Sequence, residues 1–195
     1  SGVPDNCADA AEFFARCGFV DGNEVIDLCA DLSAFAPKEE YARGLAEAGA
    51  RVEPATIADV PDVCRFMAAE SPGWLRTAIA RLDAGDWGHM LLVRRDTEIC
   101  GCIQTYPPES RYRGANLAWE GIYGANLGGF GAVLIAASCR GRGFGEGMCQ
   151  AAAEYLVAHG ASHCYIDWTS HALVKLYSKV GASICRTFVQ FRKAL

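Results

Sequence analysis

The chain has 195 residues, a formal net charge of −5 and 51% hydrophobic residues, which is enough for a substantial core. This length fits one domain, with or without an appendage, and leaves little room for two complete average domains. The acidic balance argues against a nucleic-acid partner, because the protein surface that binds nucleic acid is normally basic. No apolar run reaches the roughly 18 residues of a membrane span, so no membrane partner is expected either.

The first 50 residues can be interpreted in two ways. Residues 11–19 share a helical pattern with residues 173–182: each carries a pair of bulky residues and ends at a glycine, and a strand-like segment follows. This match indicates that residues 1–36 are a remnant of a preceding homologous repeat. The alternative is an ordinary N-terminal helix and strand that pack on the domain. Residues 37–50 are charged and rich in Ala and Gly, and we predict a linker there.

From residue 51 onward, strand and helix signals alternate, which predicts an α/β (α+β) architecture. A short strand at 51–54 precedes a helix over 59–69, for which Asp59 is the predicted N-cap. A second short helix is predicted for 74–82, and two strands with a tight connection predict a β-hairpin over 89–103.

Residues 106–127 are rich in Pro, Gly, Asn and aromatic residues, which predicts a long surface segment. Loops of this length in compact domains are often functional, so we expect a wall that faces the substrate. Two roles are open for its aromatic side chains, a platform for a sugar or flat amine and simple packing: Tyr106, Tyr112, Trp119 and Tyr123.

A glycine-rich turn, Arg140 to Gly145, lies between a strand and a helix. The strand is predicted from the continuous apolar run at 130–137, and the helical pattern covers 144–158. Glycines let the backbone approach an anion, and the first amides of a helix point unpaired N–H groups at it, so this arrangement is typical of phosphate binding. The chain ends with a predicted strand, helix and strand at 163–168, 173–180 and 184–192.

Known phosphate-binding patterns limit the kinds of ligand that this turn can bind. A nucleoside-triphosphate loop needs Gly-Lys followed by Ser or Thr, which is absent. The dinucleotide pattern G-x-G-x-x-G fails because Glu146 or Met148 stands at its last position. The turn instead has the spacing R-x-x-G-x-G, with Arg140, Gly143 and Gly145. An α/β nucleotide-binding domain is therefore disfavoured.

The R-x-x-G-x-G spacing resembles the acetyl-CoA signature Q/R-x-x-G-x-G/A of the GNAT acetyltransferase family. The resemblance extends over residues 51–195, which we predict to be the acetyltransferase domain. A second family signature is matched in part, with Tyr177 at its Tyr and Ser170 in place of its Asn. The resemblance implies the GNAT fold, with a mixed central sheet of about six to seven strands flanked by helices.

By this resemblance the protein would be an acetyl-CoA-dependent N-acetyltransferase, in which a primary amine of a small molecule attacks the thioester directly. Acetyl-CoA would be the co-substrate, and no metal is expected. Residues of the apolar strand would pair with the pantetheine arm, and the glycine-rich turn would hold the pyrophosphate. The residues expected to bind acetyl-CoA are Val133, Leu134, Ile135, Arg140, Gly141, Arg142, Gly143, Phe144, Gly145, Glu146 and Ser170.

The resemblance also assigns the catalytic groups. Tyr177 would lie near the thioester sulfur and give a proton to the thiolate, although its residue type and spacing also fit a core aromatic. Two carboxylates are candidates for the base that deprotonates the ammonium group. Glu120 lies in the segment before the glycine-rich turn, and Asp167 ends the strand at 163–168. The residues leave the choice between them open.

Two further features bear on partners. Asp167-Trp168-Thr169, together with residues 27–32, resembles acetyltransferase modules attached to family 3 glycoside hydrolases, which implies an amino-sugar acceptor and fusion to a larger parent protein. A homodimer is the other expected assembly. Ser170 in place of the family Asn favours an alternative function, a non-catalytic acyl-CoA-binding or scaffolding module.

Ten cysteines are scattered along the chain without a Cys-x-x-Cys pair or zinc-finger spacing to histidine. Such cysteines usually behave as small buried hydrophobic residues. We therefore expect reduced thiols and a cytoplasmic protein. The start of the chain shows no secretory segment. Because Ser1 takes the place of an initiating Met, we expect that the native N-terminus is missing.

Overall fold

The computed structural model describes residues 2–193, and within them seven α-helices flank an eight-stranded mixed sheet. The strands are β1 (Val3–Pro4), β2 (Val20–Asp31), β3 (Ala50–Pro54), β4 (Met90–Arg95), β5 (Glu98–Tyr106), β6 (Leu127–Ile135), β7 (His163–Thr169) and β8 (Ser183–Arg192). The helices are α1 (Ala8–Arg16), α2 (Glu39–Glu47), α3 (Val60–Glu70), α4 (Pro72–Asp83), α5 (Glu120–Tyr123), α6 (Phe144–Ala158) and α7 (Val174–Tyr177). The mixed α/β sheet is confirmed. Its strand count is slightly higher than expected because β1, only two residues long, leaves no sequence signal.

The N-terminal strand β2 lies in the middle of the sheet, whose order is β1-β8-β2-β7-β6-β5-β4-β3. It is antiparallel to both neighbours: Leu28 pairs with Ile166 on β7 and with Ile184 on β8. Leu28 is also fully buried in the main core. Residues 2–31 therefore complete the same sheet as the rest of the described chain. The origin of this segment in a repeat, and a division from residues 51–195, stay predictions.

The segment 37–50, expected to be a linker, contains the helix α2. Leu45 of this helix is buried against α6, where a Cβ placed on Gly147 would lie 2.6 Å from the Leu45 side chain. Glycine is needed at that position because the two helices approach each other so closely. Charged and small residues dominate α2, so its single apolar anchor is not evident from the sequence.

Asp59 stands at the N-cap position of α3, as predicted, but its side chain makes no capping bond there, because a 3₁₀ turn at Ile57–Asp59 leads into the helix. Its carboxylate instead accepts hydrogen bonds from the amide and the hydroxyl of Thr56, at 2.7 and 2.8 Å, and forms an ion pair with Arg94. The Thr56–Asp59 pair is a capping box for the 3₁₀ turn. The capping residue is therefore Thr56, three residues before the N-cap that the sequence predicts.

The remaining elements agree with their sequence predictions apart from two details. The helix expected over 173–180 is the short α7 between two 3₁₀ turns, His171–Leu173 and Ser178–Val180. The segment expected to be a surface loop contains α5 and a 3₁₀ turn at Ala115–Leu117, whose Leu117 is buried. No helix within residues 2–193 has the length and apolarity to cross a bilayer.

All ten cysteines lie in the described part of the chain and are free thiols, as expected. The buried ones are Cys100, Cys102, Cys139, Cys149 and Cys164. Burial raises the pKa of Cys102 to about 12, so this thiol stays neutral and acts as apolar packing.

The strands β6 and β7 are the parallel pair of the described sheet, and they pair over only part of their length. Their register ends at Gly129 opposite Tyr165 within the described residues. Asn116 is inserted just beyond: its Nδ2 donates to the carbonyls of Phe130 and Tyr165, at 3.0 Å each. Asn116 therefore holds the carboxyl ends of two central strands apart.

Gly129 is required where the two strands separate. A Cβ at this position would collide with the carbonyl oxygen of Tyr165 and lie 2.6 Å from Cβ of Asn116. Because backbone cannot move aside cheaply here, Gly129→Ala is expected to destabilise the protein by about 1–3 kcal/mol. For a chain of this size that corresponds to a fall in melting temperature of about 2–12 °C, measurable by calorimetry.

Gly44→Ala is the matched control for this substitution. A Cβ on Gly44 meets no atom within 4 Å, and the residue lies inside α2. Alanine favours a helix over glycine by about 0.8–1 kcal/mol, so this variant should melt at the same or a higher temperature. Equal melting temperatures for Gly129→Ala and the wild type would show that the separation of the strands does not depend on the missing Cβ.

Candidate active site

The separation of β6 and β7 creates a cleft of about 150 Å³ near the middle of the sheet. Val133 of β6, Thr169 of β7 and Tyr177 of α7 line it, and Trp74 of α4 lies at its side. The hydroxyl of Thr169 is buried and has no hydrogen-bond partner within residues 2–193. A buried unpaired hydroxyl is costly unless a ligand can bond to it, so its position favours a ligand with polar groups.

Strained backbone lies on both walls of this cleft. Ala132 on β6 has φ = 48° and Trp168 on β7 has φ = 52°, conformations that non-glycine residues rarely adopt. Such strain persists only where the surrounding structure holds it in place, and it is enriched at functional sites. The two residues line the same cleft, which is therefore the candidate active site.

Asp167 lies between these two walls. Its side chain lines the cleft and two neighbouring cavities of about 160 and 390 Å³, so it stands where the three spaces meet. Burial and the nearby carboxylate of Asp27 raise the pKa of Asp167 to about 6, while a backbone hydrogen bond and Asn116 act in the opposite direction. A carboxylate with this pKa is ionised at neutral pH and is a stronger base than an exposed one.

Asp27, on β2, is buried beside Asp167 and is fixed by two hydrogen bonds. It accepts from the hydroxyl of Tyr165 at 2.6 Å and from the amide of Trp168 at 2.7 Å. The second bond ties β2 to the strained residue of β7. Both carboxylates line the cavity of about 390 Å³, which therefore has a negative wall.

Tyr177 is placed by α7 on the wall of the cleft opposite α4. Its ring is buried and packs against Phe130, with the ring centroids 5.9 Å apart. Burial is the largest cause that raises the pKa of Tyr177 above its ordinary value. The hydroxyl is therefore protonated at neutral pH and has a proton to donate. Tyr177 is a core aromatic that also lines the cleft, and its role as an acid stays a prediction.

Glu120, the other candidate base, lies apart from these groups. It begins α5, is 45% exposed and forms an ion pair with Arg113. It lines none of the three cavities that Asp167 lines. The structure thus brings Asp167 and Tyr177 to one cleft but does not bring Glu120 to it.

The glycine-rich turn has the backbone that its sequence requires. Gly141 and Gly143 both have φ = 76°, in the left-handed region that costs other residues about 1–2 kcal/mol. A Cβ on either would meet no atom within 4 Å, so conformation and not crowding selects glycine. Gly143 precedes the first residue of α6, and Phe144 anchors that helix in the core. The turn therefore presents the positive end of a long helix to the space in front of it.

Charged side chains surround this turn. Arg140 donates from Nε to the carbonyl of Ile135 at 3.2 Å and lies 3.9 Å from Glu70, whose carboxylate also accepts from the amide of Ala137. Arg142 and Gly143 line a cavity of about 330 Å³ with α2, and Glu146 and Lys179 pair across it at 3.9 Å. Arg142 is exposed.

The other residues expected along the pantetheine arm have different surroundings. Val133 lines the cleft, whereas Leu134 and Ile135 pair with Cys102 and Gly101 of β5. Ser170 is exposed at the start of the 3₁₀ turn that leads to α7. Gly145 lies in the first turn of α6, where a Cβ would make an ordinary contact of 3.7 Å with Leu176. Binding of acetyl-CoA by these residues stays a prediction.

The aromatic residues of the segment between β5 and β6 mostly pack inward. Tyr106 is buried, and Tyr112 packs against it with ring centroids 6.4 Å apart. Trp119 and Tyr123 both contact Tyr165, at 5.8 Å between centroids. Of the four, Trp119 lines the cavity of about 390 Å³. All four pack against other rings, and Tyr106, Tyr112 and Trp119 also line cavities that contain Asp167.

Three residues of the site escape sequence reasoning: Asn116, Asp27 and Trp168 as a wall of the cavity. Each acts through partners that are distant in the chain, such as the 138-residue separation between Asp27 and Tyr165. Asp27 and Trp168 lie in the two segments that resemble the modules attached to glycoside hydrolases, but that resemblance assigns neither residue a role. Asn116 lies in a long segment, where functional polar residues are common.

One group of side chains with metal-ligand chemistry occurs among residues 2–193. The ligand atoms of Glu98, Cys100 and Cys139 lie within 4.8 Å of one another. The two cysteines belong to the main core, and none of the three residues lines the cleft. The group is therefore separate from the cleft, and the expectation that the active site holds no metal stays a prediction.

The fold and the glycine-rich turn fit one class of protein, the acetyltransferases. The family model described as "Acetyltransferase (GNAT) family" matches residues 60–182. Because this match covers more than half of the chain, the protein belongs to the GNAT acetyltransferase family. The matched range contains Asp167, Tyr177 and the whole glycine-rich turn. No match among curated protein sequences is significant.

Solved structures support this assignment. The chain is similar to the glucosamine N-acetyltransferase region of a fungal multi-domain GH3 β-N-acetylglucosaminidase, at 25% identity and a TM-score of 0.90, over 97% of this chain and 24% of that one. It spans only this quarter of the fungal protein. A GCN5-related N-acetyltransferase from Sphaerobacter thermophilus shares the fold, at 15% identity and a TM-score of 0.69, over 98% of this chain and 58% of that one. A GNAT acetyltransferase from Colwellia psychrerythraea shares it at 12% identity and a TM-score of 0.62, over 94% and 62% of the two chains.

Proposed function

We propose that this protein transfers the acetyl group of acetyl-CoA to a primary amine of a small molecule, with an amino sugar as the preferred acceptor. The observation that carries the proposal is the meeting of two proton-transfer groups, Asp167 and Tyr177, in the cleft where β6 and β7 separate. The similar fungal region is a glucosamine N-acetyltransferase and belongs to a multi-domain enzyme. On that ground we also propose an amino-sugar acceptor and fusion to a larger parent protein.

The residues around the cleft fit acetyl-CoA chemically. The glycine-rich turn offers helix N-terminal amides and the guanidinium groups of Arg140 and Arg142 to a pyrophosphate. The edge of β6 beyond Phe130 is not paired with β7 within residues 2–193, so an extended amide chain can bond to it as a strand would. Thr169 adds an unpaired buried hydroxyl on the facing wall.

The reaction then needs proton transfers at both the acceptor nitrogen and the leaving sulfur. The acceptor amine enters as an ammonium ion, and Asp167 takes its proton so that the nitrogen lone pair can attack the thioester carbonyl. As the carbon–sulfur bond breaks, Tyr177 can donate its hydroxyl proton to the leaving thiolate, and the excess proton on the acetylated nitrogen restores the tyrosine hydroxyl. The walls of the cleft exclude water from the thioester, which favours aminolysis over hydrolysis. We place this activity in the cytoplasm because exposed Cys7 and Cys17 are free thiols.

Binding of the co-substrate is the first test. Acetyl-CoA at a hundredfold excess over its dissociation constant should stabilise the protein by about 2.7 kcal/mol, a rise in melting temperature of about 5–11 °C. Gly143→Asp should abolish this rise, because it adds strain at φ = 76° and a negative charge where the pyrophosphate binds. Thermal melts with and without acetyl-CoA and CoA measure both effects.

The matched control is Gly121→Asp, which adds the same charge on α5, where a Cβ meets no atom within 4 Å. It should keep the full rise in melting temperature with acetyl-CoA. A wild-type protein that does not respond to millimolar acetyl-CoA would contradict the proposal. Saturable binding without release of CoA in the presence of any amine would instead support the alternative function, an acyl-CoA-binding or scaffolding module. The presence of Ser170 in place of the family Asn favours that alternative.

A further inference from the structure

The cavity of about 390 Å³ shares Asp167 with the cleft but is not lined by Tyr177. Tyr177 and Val133 line the cleft and not this cavity, whereas Asp167 and Trp168 line both. Its volume falls within the roughly 300–1,000 Å³ of sites that bind small molecules. If the cleft takes the thioester, the acceptor must approach Asp167 from this cavity, so this step rests on the proposed function.

The polar lining of this cavity consists of two carboxylates from different strands. Asp27 comes from β2 and Asp167 from β7, and Asp27 is 4% exposed. Two neighbouring carboxylates repel each other when both are ionised, and a cation bound between them relieves this repulsion. Asp27 accepts its two hydrogen bonds from neutral donors, Tyr165 and the amide of Trp168. No ion pair to the Asp27 carboxylate occurs within the described residues, because Arg186, its partner residue on β8, stacks over Trp119 instead.

The rest of the cavity wall is mainly apolar. Trp119 and Trp168 present indole rings, Phe188 of β8 and Ala115 add further apolar surface, and Gly2 lies at the N-terminal side. The guanidinium of Arg186 lies 3.8 Å from the centroid of the Trp119 ring and fixes that side chain. Aromatic walls with a few placed polar groups recognise ligands that have an apolar face and one charged substituent.

We propose that Asp27 is the second carboxylate of the acceptor site and binds the ammonium group of a hexosamine, whose ring packs against Trp119 and Trp168. The N-terminal segment, through β2, is then part of the acceptor site as well as of the sheet. Asp27 positions the ammonium group beside Asp167, and Asp167 removes its proton. A neutral sugar lacks the cation that both carboxylates require, so the site discriminates in favour of the amine.

Direct titration of D-glucosamine tests this role without any catalytic step. The protein is first saturated with CoA, and D-glucosamine or D-glucose is titrated by calorimetry into the wild type, Asp27→Asn and Asp21→Asn. Loss of a charge-assisted contact should weaken glucosamine binding to Asp27→Asn on the order of 10- to 100-fold. Asp21→Asn is the matched control, because it removes a carboxylate from an exposed position of the same strand that lines none of the three cavities around Asp167. It should bind glucosamine within about threefold of the wild type, since exposed substitutions of this kind have small effects.

A pH profile separates a charge role from a merely structural one. The titratable groups that face Asp167 are Asp27, Tyr106 and Tyr177, and both tyrosines stay protonated because burial raises their pKa, to about 12 for Tyr106. Asp27→Asn removes the like charge, so the acid limb of kcat/KM, set by ionisation of Asp167, should move to lower pH. A structural defect would lower activity without moving this limb.

Three results would overturn the proposal: unchanged glucosamine affinity in Asp27→Asn, an equal loss for D-glucose and D-glucosamine, or an acid limb that stays in place. A wild-type protein that binds CoA but no glucosamine would also overturn it and would leave the acetyl-CoA site intact. Failure of CoA itself to bind would contradict the proposed function first, and the two failures are therefore distinguishable.

Discussion

Replacing Asp167 with Asn is expected to lower kcat by about 10²- to 10⁴-fold, because the acceptor ammonium then has no carboxylate to take its proton. The substitution preserves size, exchanges one acceptor oxygen for an NH₂ donor and removes the charge from a group that lines all three cavities. Acetyl-CoA should still raise the melting temperature, since the glycine-rich turn is untouched. Steady-state rates of CoA release with glucosamine measure the effect.

The pH dependence gives this variant a second readout. In the wild type, the pKa of Asp167 is raised to about 6, so the base is protonated and inactive below that pH and ionised above it. Activity should therefore rise as pH increases through about 6, and this limb should be missing in Asp167→Asn. Glu120→Gln is the rival substitution. A large loss of activity in Glu120→Gln, with little loss in Asp167→Asn, would identify Glu120 as the base, the surface carboxylate that pairs with Arg113.

Much of the fold follows from local sequence patterns, because each pattern reports an interaction between near neighbours. The helix at Phe144–Ala158 begins and ends as predicted, since the left-handed Gly143 and the glycine after its end are visible in the sequence. The position of β2 between β7 and β8 is not visible. Strand order depends on pairing between distant segments, and a single strand pattern does not specify its neighbours.

The candidate site divides in the same way. The glycine-rich turn and Tyr177 are predicted from spacing along the chain, and the structure places Tyr177 in the cleft with Asp167. Asn116 separates β6 from β7 through bonds to residues 14 and 49 positions away, and Asp27 reaches the site from the N-terminal segment. Sequence reasoning finds the groups that a local motif carries, while the groups that shape the cavity come from long-range packing.

Tyr177→Phe is expected to reduce kcat by about 10²- to 10⁴-fold if its hydroxyl protonates the departing thiolate. The ring packs against Phe130 at 5.9 Å and should stay in place, so stability should change little. The KM for acetyl-CoA should also change little, because the hydroxyl acts while the carbon–sulfur bond breaks and not when the substrate binds.

Tyr155→Phe is the control for the loss of a tyrosine hydroxyl. Its hydroxyl donates to the carbonyl of Gly88 at 3.1 Å, and Tyr155 does not line the cleft. Activity close to that of the wild type in Tyr155→Phe, with a large loss in Tyr177→Phe, would assign the proton to Tyr177. Equal activities of Tyr177→Phe and the wild type would mean that the thiolate leaves without a tyrosine proton. Tyr177 would then be only the buried aromatic wall that its packing against Phe130 requires.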